Sequence, residues 1–194
     1  MNQKYNKQDI LVKGEDLFRK QGYHHTGINQ ILEACEIPKG SFYNFFKNKE
    51  DFGAQVLDYY GDLNVKMLET KLNQTDLSPL ERLKAFYHSA KNINAAENFR
   101  HGCLVNNLSL EISGLHEKLR ERVTAQFNRF VKIIANCITE GQNKKEFIDH
   151  YPAEELAIYL HSGYMGSLAQ AKATRSQLPI DVFLKIAFDF LEKN

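Results

Sequence analysis

Residues 26–46 read TGINQILEACEIPKGSFYNFF, and this stretch decides the fold. It holds two short helical patterns separated by a break. Ile28, Ile31, Leu32 and Cys35 form an apolar stripe at helical spacing. Thr26 stands where an N-cap hydroxyl satisfies an orphan helix-end amide. Pro38 suits the first turn of the second helix, where its missing N–H costs nothing, and it disfavours helical geometry at Ile37. On a helical projection of residues 39–47, Phe42, Phe45 and Phe46 share one side. Gly40, Ser41, Tyr43, Asn44 and Lys47 share the other, with Lys39 at the flank.

That second face is small, hydroxylated, amide-bearing and cationic, and it carries no carboxylate. Such a face suits a nucleic-acid groove. Ser41 and Asn44 can address base edges, Tyr43 can reach a phosphate, and lysines neutralise backbone charge. Glu33 and Glu36 stop before this helix, and Glu50 and Asp51 start after it. Helix, short break, second helix is the helix-turn-helix arrangement. A plain helical hairpin with a solvated face produces the same local pattern.

The longer run from Gly22 to Phe52, GYHHTGINQILEACEIPKGSFYNFFKNKEDF, resembles the DNA-binding domain of TetR-type repressors. The features that agree are the Gly-aromatic end of the first helix, Thr26, the Lys-Gly-Ser-Phe-Tyr segment and the closing Phe-Lys-Asn-Lys-Glu. Pro38 departs from the Ser or Thr cap common in that family, and Asn44 from its common His. Both departures bear on which operator is read. The resemblance implies a homodimer that blocks transcription at a pseudo-palindromic double-stranded operator until a small-molecule effector binds the other domain. It implies DNA contacts from Thr26, Lys39, Gly40, Ser41, Tyr43, Asn44, Lys47 and Lys49. For Lys49 a solvated lysine is an equally simple reading.

At 194 residues the chain is long enough to bury a proper core in one or two domains. Its net charge of +1 gives no global basic signature, so any DNA contact must rest on local clustering. The three cysteines, Cys35, Cys103 and Cys137, are widely spaced and odd in number, which fits a reducing cytoplasm better than a disulfide framework. The polar N-terminus lacks a signal-peptide core, and no stretch has the apolar length of a membrane span. A cytoplasmic protein with no membrane partner is expected.

In chain order, residues 1–6 read as a polar arm, with Lys4 and Lys7 available to DNA, and a first helix is expected over about 7–22. Asn48 caps a long helix to about Leu72, and Ser78-Pro79 opens another to about Asn94. A short helix follows from Cys103, then a long one from about Leu115 to Glu140. Two apolar helices close the chain, from Pro152 and after Pro179. The expected fold is all-α with about nine helices. Residues 1–48 form a three-helix helix-turn-helix domain, and residues 49–194 an effector-binding and dimerisation domain.

The helix from Pro152 has a small-residue face of Ser162, Gly163, Gly166, Ala169 and Ala173. Two helical glycines cost up to about 1 kcal/mol each relative to Ala, so they need a packing reason, and close helix approach is one. Gly163, Gly166, Ala169, Ala173, Phe183 and Ala187 are therefore candidates for a four-helix dimer bundle. An intrachain core explains the same stripes.

RHGCLVNNLSLEIS, residues 100–113, is the second distinctive segment. Its Gly-Cys-Leu-hydrophobic-Asn-Leu-Glu pattern resembles a TetR subgroup that includes repressors answering reactive electrophiles. Cys103 at a helix start, beside Arg100 and His101, is placed for a stabilised, nucleophilic thiolate. The alternative is a buried small hydrophobe. Phe86, Tyr87, Cys103, Asn107, Phe127, His161 and Tyr164 are the candidate effector contacts, each of them also a plausible core residue.

No nucleophile elbow, phosphate-cradling loop or Cys-x-x-Cys appears, so no catalytic residue, metal ligand or cofactor is expected. The competing readings are a DNA-binding architectural protein without an effector and, more distantly, a metal-binding helical-bundle enzyme.

Overall fold

The computed structural model describes residues 5–112, 114 and 116–192. Lys4 of the expected polar arm, and Leu115 at the expected start of a long helix, lie outside them. Nine α-helices are present among the described residues: α1 (Lys7–Gln21), α2 (Ile28–Cys35), α3 (Lys39–Phe45), α4 (Lys49–Leu72), α5 (Pro79–Ala96), α6 (Leu104–Ile112), α7 (Glu117–Asn143), α8 (Ala153–Thr174) and α9 (Leu178–Leu191). The chain divides into two compact units, Met1–Leu63 with Cys103–Gln126, and Asn64–Gly102 with Phe127–Asn194.

Local chemistry sets the helix ends in the first unit. Asn6 caps α1 by accepting the Gln8 N–H at 3.0 Å. Gly22 ends that helix at φ 83°, its N–H donating to the Phe18 carbonyl. Asn48 Oδ1 accepts the Asp51 N–H at 2.8 Å, while Asp51 Oδ2 accepts the Lys47 N–H at 2.8 Å, which fixes the start of α4. The capping of α2 corrects one expectation. Its N-cap is Gly27, whose N–H donates to the Gln30 side chain at 2.7 Å. Thr26 is fully buried and instead donates its hydroxyl to the Gly22 carbonyl at 2.6 Å.

Aromatic rings fill the core behind α3. Phe42 and Phe46 are buried, with centroids 5.1 Å apart, and both meet Phe52 of α4, at 5.5 and 4.9 Å. Phe18 of α1 reaches the same Phe52 ring at 5.7 Å. Gly14 lets α1 approach, since a Cβ there would stand 2.2 Å from the Phe52 ring. Phe45 is only half-buried, so two rings rather than three anchor α3.

In the second unit, Ser78 and Glu81 form a reciprocal capping box behind Pro79 at the start of α5. Buried Arg82 is held through its two terminal nitrogens by the Leu72 carbonyl and by Glu140, each at 2.6 Å. Helices α8 and α9 pack together where Gly163 makes room for the Phe183 ring, which a Cβ would approach to 2.2 Å. Gly166, by contrast, has nothing within 4 Å of an added Cβ.

Candidate nucleic-acid interface and sensor residues

Helix α3 is held from behind and open in front. With Phe42 and Phe46 buried, Lys39, Gly40, Tyr43, Asn44 and Lys47 are exposed and Ser41 is half-buried. Tyr43 keeps 44% of its surface accessible although its neighbour Phe42 keeps none. A Cβ on Gly40 would meet nothing within 4 Å, so no packing inside the chain requires glycine there. The outward face offers two ammonium groups, a phenol, an amide and a hydroxyl, which together can bind phosphates and base edges.

Two of the expected contacts sit elsewhere. Thr26 is enclosed, so its role is to hold the turn before α2 rather than to touch a partner. The Lys49 ammonium lies 4.2 Å from the Tyr23 ring centroid, a cation–π arrangement. Burial pulls its pKa below the ordinary lysine value, against the opposing charge of Glu111.

Cys103 stands at the start of α6, where its carbonyl accepts the Asn107 N–H at 2.9 Å. Burial pushes its thiol pKa up, and this outweighs hydrogen bonds from the Asn106 N–H, the Tyr60 side chain and the Val105 N–H, together with the charge of Arg19. The expectation of a ready thiolate is therefore corrected, because desolvation is larger than the helix-end effect. The groups that do oppose it are α6 amides, Tyr60 and Arg19, not Arg100 and His101. Cys35 and Cys137 are each raised to about 11, chiefly by burial.

Of the other candidate effector contacts, Asn107 belongs to the first unit, half-buried on α6. Phe86, Tyr87, Phe127, His161 and Tyr164 belong to the second. Tyr87 lies 5.1 Å from Phe86 and 5.0 Å from Tyr164, and His161 stacks on Phe130 at 5.5 Å with Phe127 at 5.7 Å. The Tyr87 hydroxyl and His161 Nε2 are buried without a hydrogen-bond partner among the described residues. Buried polar groups are normally hydrogen-bonded, so these two call for a partner such as a water or a bound molecule. Burial lowers the His161 pKa to about 4, so the imidazole is neutral at ordinary pH.

The small-residue face of α8 splits in two. Gly163 and Phe183 meet each other within the chain, and Ala187 is fully buried there, so Ala187 offers no surface to a second copy. Gly166, Ala169 and Ala173 remain exposed. So do Val182 at 48% and Ile186 at 58% on α9.

Sequence reasoning passed over Glu111. Its carboxylate accepts the Tyr23 N–H at 2.9 Å and also the His24 N–H, 88 and 87 residues away. His116 joins the same cluster, with its ring 5.3 Å from Tyr23 and Nδ1 3.4 Å from Glu50. The only signal was the Glu closing the Gly-Cys-Leu segment.

No helix among the described residues is long and apolar enough to cross a membrane, and no group of three His, Cys, Asp or Glu residues there is arranged to hold a metal. Residues 10–56 match the family described as bacterial regulatory proteins, tetR family, and residues 79–187 match the tetracyclin repressor-like C-terminal domain. The chain is 33% identical to the HTH-type transcriptional repressor DhaR of a Mycobacterium species, over 95% of this chain and 91% of that protein. The crystal structure of regulatory protein TetR from Rhodobacter sphaeroides superposes with a TM-score of 0.90 at 29% identity, covering 95% of this chain and 97% of that one. The reduced form of Escherichia coli NemR gives 0.87 at 25% identity, covering 96% and 97%.

Proposed function

Because the chain belongs to the TetR family of bacterial regulatory proteins, we propose that it is a repressor that reads its operator with α3 and leaves it when an effector binds. It is a DNA-binding transcriptional regulator, and its relatives are regulators rather than enzymes. The observation that carries the reading is the carboxylate-free outer face of α3, with Lys39, Tyr43 and Asn44 exposed on the helix and Lys47 just past its end, over buried Phe42 and Phe46. Lys39 and Lys47 bind phosphates, Gly40 allows close backbone approach, and Ser41, Tyr43 and Asn44 supply the polar contacts that fix register and base preference. Residues 1–48 serve as the DNA-reading part and residues 49–194 as the effector and dimerisation part.

A homodimer through the exposed face of Gly166, Ala169, Ala173, Val182 and Ile186 presents two α3 helices to a pseudo-palindromic site, about 34–36 Å apart for one-turn spacing. The effector is a compact, largely apolar molecule held in the second unit, where the Tyr87 hydroxyl and neutral His161 await partners beside Phe86, Phe127 and Tyr164. It acts by binding the DNA-free state more tightly than the bound one. A second reading has an electrophile add to Cys103, whose sulfur already accepts two α6 amides. Asn107, one helical turn on, then faces the adduct. The protein works in the cytoplasm.

The test is selection of bound sequences from random duplex DNA, followed by release assays with and without N-ethylmaleimide in wild type and Cys103→Ser. An enriched palindrome supports the regulator, and no enrichment overturns it. Release in wild type alone favours the Cys103 reading; equal response of the two proteins rejects it.

A further inference from the structure

We propose that Glu111 is the positioning residue through which α6 sets the helix-turn-helix, an inference that rests on the reading of α3 as the DNA-contacting helix. Glu111 sits in the last turn of α6 and takes the N–H groups of Tyr23 and His24 on its two oxygens. Both belong to the turn joining α1 to α2. Gly22 is tied to the same arrangement: its φ is +83°, and a Cβ there would stand 2.8 Å from Glu111 Oε2. Two consecutive amides converging on one carboxylate make a backbone anion site, and charge-assisted bonds of this kind are about twice as strong as neutral ones.

The turn leads directly into the DNA-reading pair. Thr26 donates to the Gly22 carbonyl at 2.6 Å, Gln21 donates to the His25 carbonyl and to Thr26 Oγ1 at 3.2 Å each, and α2 begins two residues after Thr26. Side chains clamp Tyr23 from two further elements. Lys49 at the start of α4 lies over its ring, and His116, just before α7, packs against it and contacts Glu50.

The other end of α6 is Cys103, hydrogen-bonded with Tyr60 of α4 and with α6's own amides. Eight residues separate Cys103 from Glu111, about 12 Å along a helix, so α6 is a short rigid rod. One end touches α4 and the other holds the turn before α2. A shift of α6 relative to the turn misaligns both bonds of the carboxylate clamp together, and hydrogen bonds weaken steeply with misalignment. Glutamine cannot replace Glu111, because one carboxylate oxygen becomes an NH₂ facing an amide donor.

The experiment uses Cys103 as a reporter on the full chain, with peptide-resolved mass spectrometry to separate it from Cys35 and Cys137. In wild type, operator DNA from the selection above is expected to change the rate of Cys103 alkylation by N-ethylmaleimide about fivefold or more, the low end of ordinary coupling. In Glu111→Gln the ratio falls to about one, and in Glu111→Asp, which keeps the charge, it lies between. A wild-type ratio in folded Glu111→Gln overturns the proposal, as does a ratio of one in wild type. Should the Gln variant unfold, an unchanged ratio in Glu111→Asp overturns it instead. Hydrogen exchange separates failure of the DNA reading from failure of this one. With no DNA present, alkylation of Cys103 is expected to speed exchange at the Tyr23 and His24 amides in wild type but not in Glu111→Gln, and unchanged exchange in wild type refutes the coupling.

Discussion

Lys47→Ala isolates the electrostatic part of the DNA contact. The Lys47 side chain is exposed, while its backbone N–H supports α4 through Asp51 at 2.8 Å, and alanine keeps that bond. The substitution therefore removes an ammonium and leaves the cap intact. One phosphate contact contributes about 0.9 to the slope of log affinity against log salt, so two copies in a dimer contribute about 1.8. Raising salt from about 50 to about 200 mM should then cost the wild type about twelvefold more affinity than it costs the variant. Fluorescence anisotropy on the selected operator, titrated across that range, measures both slopes. Parallel slopes, with affinity reduced equally at every salt, would refute the phosphate contact and place the effect in the fold. Equal affinity throughout would remove Lys47 from the interface altogether.

Three further outcomes are expected. Phe42→Ala should cost about 3–5 kcal/mol, because it empties a fully buried site against Phe46 and Phe52, and urea unfolding should show it; a loss below about 1 kcal/mol would mean that the head recloses around the cavity. Gly163→Ala should destabilise by about 1–2 kcal/mol through Phe183, whereas the Cβ of Gly166→Ala meets nothing within the chain, so its melting shift should depend on protein concentration through the proposed dimer face. Identical melting shifts for the two would contradict the packing described. His161 carries a folded pKa of about 4 against an ordinary 6.5, so the unfolded chain binds the extra proton first. Its contribution is whole above about 6.5 and is lost at about 1.4 kcal/mol per pH unit as pH falls towards 4; His161→Leu should flatten the profile by one proton, and a profile matching wild type would show that His161 is not the titrating group.

How much was legible in the sequence follows from where each signal resides. Helices were readable because their information is local: Gly22, Asn48 and Ser78-Pro79 mark ends by their own backbone chemistry, and the apolar period marks the buried face. The two faces of α3 are likewise a property of consecutive residues, so its outer group could be named before any packing was known, although the helix ends at Phe45 and the projection through residue 47 runs two residues past it. The α2 cap went to Gly27 rather than Thr26 because the Thr26 hydroxyl is drawn to the Gly22 carbonyl inside the turn, a contact that spacing does not show.

The remaining features required the tertiary structure, since they depend on residues brought together across long separations. Cys103 looked activated by its neighbours in sequence, yet the residue is half-buried in the fold, and desolvation outweighs the helix-end amides. Gly163 and Gly166 are three residues apart on one helix and chemically identical. Only the position of Phe183 makes one a packing site and leaves the other open. Glu111 reads as an ordinary charged residue in α6 until folding brings the Tyr23 and His24 amides within hydrogen-bond reach. The sequence by itself determined the helices and the chemistry of the reading face, because period and caps act within a few residues. Tertiary structure decided which groups are desolvated and which carboxylate meets which amide, because burial and long-range hydrogen bonds are set by the whole fold.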